Sequence, residues 1–250
     1  QKMVPFRAKR LSLFITLLSI LAMAGGIIFL IVNQGEGFLP VSLVFAVAAL
    51  VPFFASFEGR RPQARELVPI AVLSASAVVG RLVFLAIPSF QAATAIIIIT
   101  GLAFGPQSGF ITGALTALVS NIFAGQGLHT PWQMLAWGLC GCVAGLLRAP
   151  LLKNRLMLLA YGVVCGFVYG QFTNLMVIFG YTDRSLTAAL LAMAASLPMD
   201  AVHAFANLLF LLLLAPSLLK VLSRVKKKYA LFGEGGQPRG DSTQIKPASQ

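Results

Sequence analysis

Apolar runs recur from residue 11 to residue 220, most of them close to the roughly 20 residues a helix needs to cross the hydrocarbon layer of a bilayer. They read as eight spans, over residues 11–32, 39–56, 66–87, 92–104, 107–124, 132–147, 155–179 and 186–220, the fourth short and dependent on its flanks. Ten-residue segments that alternate polar with apolar, as barrel strands must, are missing. The expected fold class is therefore an all-α polytopic membrane protein. Residues 11–32 are too long for a signal peptide, lack a small-residue cleavage pattern and are followed by further spans, so they read as a helix.

Charge orients the spans. Lys2, Arg7, Lys9 and Arg10 precede the first, and Arg60, Arg61 and Arg65 lie between the second and third. Arg148, Lys153 and Arg155 lie between the sixth and seventh; Lys220, Arg224, Lys226, Lys227, Lys228, Arg239 and Lys246 follow the eighth. Every Lys and Arg except Arg81 and Arg184 thus falls on one side, and the positive-inside rule puts both termini in the cytoplasm. The net charge of +12 serves orientation in this reading, not a nucleic-acid partner.

The cluster Glu58-Gly-Arg-Arg-Pro-Gln-Ala-Arg65 marks a boundary. It separates a two-helix transmembrane hairpin, residues 1–60, from a six-helix core, residues 61–228. Residues 229–250, rich in Gly, Pro, Gln and Ser, have too little apolar surface to fold and are expected to form a disordered cytoplasmic tail.

Polar residues concentrate toward the outside. At a rise of about 1.5 Å per residue, Arg81 lies about 24 Å above Arg65. Asn121, Tyr169, Gln171 and Asn174 reach similar depths by the same count. The segment Asn121-Ile-Phe-Ala-Gly-Gln-Gly-Leu-His-Thr-Pro-Trp-Gln133 reads as an outer loop whose Gln126, His129, Trp132 and Gln133 suit a shaped, hydrogen-bonding lid. Pro198 is expected to break or kink the last span. Beyond it Asp200, His203 and Asn207 share one helical face.

Ionisable groups within a membrane are costly, and each is a functional candidate. Each also has a structural alternative. Arg81 can snorkel outward or pair with Asp200; Trp132 and His129 can belong to an interfacial aromatic belt; Tyr169, Gln171 and Asn174 can simply bond between helices. The inner half offers mostly Ser and Thr, which suggests a cavity open to the outside and closed below.

Several chemistries are excluded. The dipeptide Gly-Lys does not occur, so the chain has no phosphate loop of the ATPase type. A zinc-protease helix, a nucleophile elbow and a second intramembrane acid are also missing, so neither an enzyme nor a catalytic residue is expected. Cys140, Cys142 and Cys165 sit in apolar runs without further ligands, which predicts no metal site and no cofactor.

The runs Arg-Pro-Gln-Ala-Arg-Glu-Leu-Val-Pro-Ile-Ala-Val-Leu at 61–73, Ala-Ile-Ile-Ile-Ile-Thr-Gly-Leu-Ala-Phe-Gly at 95–105 and Gly-Gln-Gly-Leu-His-Thr-Pro-Trp-Gln-Met-Leu-Ala-Trp-Gly at 125–138 resemble the substrate-binding S components of energy-coupling factor (ECF) transporters. Among these the chain is most similar to the cobalamin (vitamin B12) S components, which also carry an amino-terminal hairpin before a six-helix core. The resemblance covers roughly residues 60–222. It implies a multi-pass subunit of a prokaryotic plasma membrane, in contact with lipid, that binds a vitamin and docks on a transmembrane T component joined to two ATPases. The family's Ala-x-x-x-Ala docking pattern falls on Ala71 and Ala75.

The expected substrate site comprises Arg81, Asn121, Gln126, His129, Trp132, Gln133, Tyr169, Asn174, Asp200 and His203. Three other readings stand beside cobalamin capture. One is an S component for another micronutrient, one an ion-coupled secondary transporter using Asp200 and His203, and one an assembly subunit without a ligand.

Overall fold

A computed structural model describes residues 18, 21–22, 24–34, 36–58, 64–183, 185–229 and 231. The basic amino-terminal residues, residues 59–63 of the boundary cluster, Arg184 and the expected tail from 232 onward lie outside the described residues. A helix over residues 24–32 (α1) is followed by α2 (Phe38–Glu58), α3 (Ala64–Leu82), α4 (Ala93–Phe104) and α5 (Pro106–Ala124). Then come α6 (His129–Leu146), the short α7 (Arg148–Lys153), α8 (Arg155–Tyr181) and α9 (Leu186–Lys228). Among the described residues there is no strand.

Two antiparallel pairs, α5 with α6 and α8 with α9, are bridged by α4, which touches both α6 and α9; α3 lies against α4 and α5, and α2 against α6. The fourth run is as short as its sequence suggests. It forms a helix of 12 residues, about 18 Å at the helical rise, and every one of its residues is buried. A helix apolar on all sides is a core element. The third run ends early, at Leu82 rather than 87, and residues 83–92 fold back so that the Ala92 amide donates to the Gly80 carbonyl at 3.0 Å.

Without a hydrophobic drive in lipid, helices associate where small residues let backbones meet. A Cβ on Gly166 would strike the backbone of Ala204 on α9, and one on Gly141 the backbone of Gly109 on α5. The opposite faces stay apolar and open, with Val164 and Val168 of α8 and Leu190, Phe205 and Leu213 of α9 all exposed. Such a surface suits lipid, not water. Arg155–Tyr181 and Leu186–Lys228 are each long and apolar enough to cross a membrane unaided.

The last two helices start at side-chain caps. Asn154 Oδ1 accepts from the Leu156 amide at 2.9 Å, and Ser185 Oγ from the Ala188 amide at 3.1 Å. Asp183 accepts from the Ser185 amide and hydroxyl, which hold its carboxyl below the usual carboxylate range. Of the break or kink expected at Pro198, the break does not occur: α9 runs for 43 residues through Pro198 and Pro216. Gln171 Nε2 reaches the Met193 carbonyl at 3.3 Å and the Ser196 hydroxyl at 3.0 Å, on the turn before the proline.

Candidate functional site

The outer loop expected at 121–133 is much shorter than that. Only residues 125–128 lie outside helices, because α5 continues to Ala124 and α6 begins at His129. Gly125, at φ 108°, makes the reversal that a side chain would resist. His129 opens α6 half-buried beside Gly127.

Asn121, completely buried on the last turn of α5, joins three helices. Its Oδ1 accepts from Arg81 Nη1 at 2.6 Å, and its Nδ2 donates to Thr130 Oγ1 at 2.9 Å and to Gln133 Oε1 at 2.8 Å. Arg81 Nη1 also donates to Ser120 Oγ. Thr130 donates to Gln126 Oε1 at 2.8 Å, and Gln126 Nε2 to the Leu118 carbonyl at 2.8 Å, so the turn is tied back onto the end of α5.

Behind the turn lies a column of rings. The Arg81 guanidinium sits 5.0 Å from the centre of the Trp137 ring. Trp137 stacks on Tyr169 with centroids 4.8 Å apart and planes at 22°, and Tyr169 meets His203 edge-on at 5.0 Å. Thr94 Oγ1 accepts from Trp137 Nε1 at 2.9 Å and shares a hydrogen bond with His203 Nε2 at 2.8 Å. Thus α3, α4, α5, α6, α8 and α9 each supply a residue to one connected cluster: Arg81, Thr94, Asn121, Trp137, Tyr169 and His203.

A second polar set stands apart. Asp200, nearly buried, accepts from Gln171 Nε2 at 2.6 Å and from Ser196 Oγ at 3.0 Å, and Asn174 Nδ2 donates to Ser196 Oγ at 2.7 Å. A Cβ on Gly170 would overlap the Asp200 carboxyl, so glycine there admits the acid to the α8–α9 seam. Of the alternatives for Arg81, pairing with Asp200 is not what the structure shows, since Arg81 turns to Ser120 and Asn121, and Asp200 to Gln171 and Ser196. Among the described residues Asp200 and His203 share no hydrogen bond, and no group of three or more metal-ligating side chains occurs.

A family model described as "ECF transporter, substrate-specific component" matches residues 65–224. The chain belongs to that family. A UPF0397 protein of Vibrio atlanticus (strain LGP32) is 34% identical over 98 residues, which is 37% of this chain and 53% of that protein. The chain thus spans about half the length of this curated relative. No solved structure matches.

In this substrate-specific component, Trp132 is placed differently from the other loop residues. It is completely buried, stacked on Phe38 at 6.2 Å and tilted against Phe45 at 4.9 Å and Phe172 at 5.9 Å, with its Nε1 donating to Ser42 Oγ at 3.2 Å. It pins α2 to the core rather than lying in an interfacial belt. A cavity of about 190 Å³ between α6 and α8, lined by residues such as Ala136, Cys140, Tyr161, Cys165 and Phe172, shares Tyr169 with the ring column. Its lining is almost wholly apolar. Ala71 and Ala75 are exposed, together with Val68, Val72, Ser76 and Val79, while Ile70, Leu73 and Ala77 face inward.

Sequence reasoning missed Thr94, Ser120, Thr130, Trp137 and Ser196. The one signal for Thr94 and Trp137 was a polar atom in a helix otherwise apolar, since a buried hydroxyl or indole N–H needs a partner.

Proposed function

We propose that this chain is the vitamin-capturing subunit of an ECF-type importer. It takes its ligand from outside at the cluster of Arg81, Asn121, Trp137, Tyr169 and His203, with the 125–128 turn and the first turn of α6 as rim. It then docks α3, through Ala71 and Ala75, on a transmembrane T component powered by two ATPases. Cobalamin is the ligand favoured by the resemblance of the chain to cobalamin S components. The observation that carries the reading is convergence: α3, α5, α6, α8 and α9 each contribute one side chain to a single polar and aromatic cluster, the kind of convergent polar set a binding site uses.

The cavity of about 190 Å³ is smaller than the roughly 300–1,000 Å³ of drug-sized pockets. Capture of a corrinoid at the cluster therefore requires the surrounding helices to part, as α6 and α8 would at the seam. The exposed face of α3 supports docking, since small side chains permit close approach in lipid. The ion-coupled alternative has less support, because a relay needs contact between Asp200 and His203 and each bonds elsewhere.

The test is calorimetric titration of the purified protein with cobalamin, followed by uptake in cells with and without T component and ATPases. Micromolar or tighter binding by the chain alone, with uptake only alongside the partners, is the expected result. Binding of another vitamin instead would overturn the substrate, and uptake that survives ATP depletion but collapses with a protonophore would overturn the class.

A further inference from the structure

Arg81 is the one basic residue in the outer half of the described core, and its partners are all neutral. Of the five N–H groups of a guanidinium, those on Nη1 are taken by Ser120 Oγ and Asn121 Oδ1. Among the described residues nothing accepts from Nε or Nη2, and no acid pairs with Arg81. That edge is the fork which binds carboxylate or phosphate through two parallel bonds. The plane of the fork is held in two ways: Nη1 is fixed by two acceptors, and the ring of Trp137 lies 5.0 Å from the central carbon.

The charge is incompletely balanced. Arg81 lies in the last turn of α3, where the helix terminus contributes roughly half a negative charge. The remainder sits half-buried, where an unpaired charge is unfavourable and an incoming anion is bound strongly. A residue needed only to tie α3 to α5 would require Nη1 alone, and a neutral amide would supply it.

We infer that Arg81 receives an oxyanion of the captured ligand on its Nε and Nη2 edge. This rests on the capture reading above. In cobalamin the group of that chemistry is the phosphodiester of the nucleotide loop, which cobinamide lacks.

The test compares cobalamin with cobinamide on wild-type protein and on Arg81→Ala, by titration in nanodiscs. Wild type is expected to prefer cobalamin at least about tenfold, the size of one charge-assisted bond. Arg81→Ala should lose that preference, weakening cobalamin while leaving cobinamide unchanged. Should Arg81→Ala fail to fold, Arg81→Lys, which keeps the charge without the fork, is expected to lose most of the preference. Equal weakening of both corrinoids, or of neither, would overturn the inference while leaving capture intact. Wild-type protein that binds neither would overturn cobalamin as substrate, and with it this role for Arg81, in the first titration.

Discussion

Arg81 Nη1 donates to Asn121 Oδ1 at 2.6 Å, joining the last turn of α3 to the last turn of α5 across 40 residues of sequence. Asn121 passes the connection on to Thr130 and Gln133 of α6. One amide thereby sets the distance between three helices and positions both the cation and the rim of the site.

Replacing Asn121 by Leu should therefore act on stability and binding together. The variant leaves Arg81, Thr130 and Gln133 each short of a partner at a buried point. Loss of a hydrogen bond to a charged group costs about 1.5–3 kcal/mol. Thermal unfolding in detergent should show a fall of that size, with weaker ligand binding at temperatures where the variant remains folded.

Trp132→Ala tests whether the ring is an anchor for α2. Removing a fully buried Trp is expected to cost roughly 3 kcal/mol, as large core truncations do. Trp132→Phe, which loses the bond to Ser42 and part of the ring's packing but keeps an aromatic ring at the site, should cost less than Trp132→Ala. If Trp132→Ala instead leaves thermal unfolding unchanged and abolishes binding alone, the ring contacts ligand and the anchoring account is wrong.

The α8–α9 seam can be probed at Gly166. A Leu there cannot fit against the Ala204 backbone, so Gly166→Leu should sharply reduce the monodisperse yield on size-exclusion chromatography. Val164→Leu, on the exposed face of the same helix, should leave the yield unchanged.

Docking is separable from capture. Ala71→Leu combined with Ala75→Leu adds bulk on an exposed face of α3 and disturbs no buried contact. Uptake and co-purification with the T component should be lost, with ligand affinity kept within about twofold. Retained uptake would remove α3 as the docking face.

Helix positions were legible where period and length agreed. The run at 155–179 became Arg155–Tyr181, and its inward glycines at 162, 166 and 170 explain how it packs. The limits of α4 were legible to within a residue, but its surroundings were not, because an all-apolar run of 12 residues reads alike as a short span or as a buried centre. Only its neighbours decide which. At Pro198 the sequence did not decide between a break and a bend, and the helix continues through it.

Within the site, Arg81 and Asn121 stood out by depth, since polar groups far above the basic fence need partners. Their pairing with each other was not legible, and the geometry that separates Asp200 from Arg81 depends on packing across α8 and α9. Trp132 could be read as rim or belt from sequence; the ring that buries it belongs to the amino-terminal hairpin. The tilt of one helix against another decides such contacts, and periodicity carries no information about it.

The central claim is that this chain captures its ligand from the outer face by itself and needs other chains to move it. The direct measurement is binding of radiolabelled cobalamin to right-side-out membrane vesicles that contain this chain without T component or ATPases. Saturable binding at micromolar or lower concentration, indifferent to ATP and to protonophore, with no accumulation in the lumen, is the predicted result. No saturable binding, or accumulation that a protonophore collapses, would contradict the account.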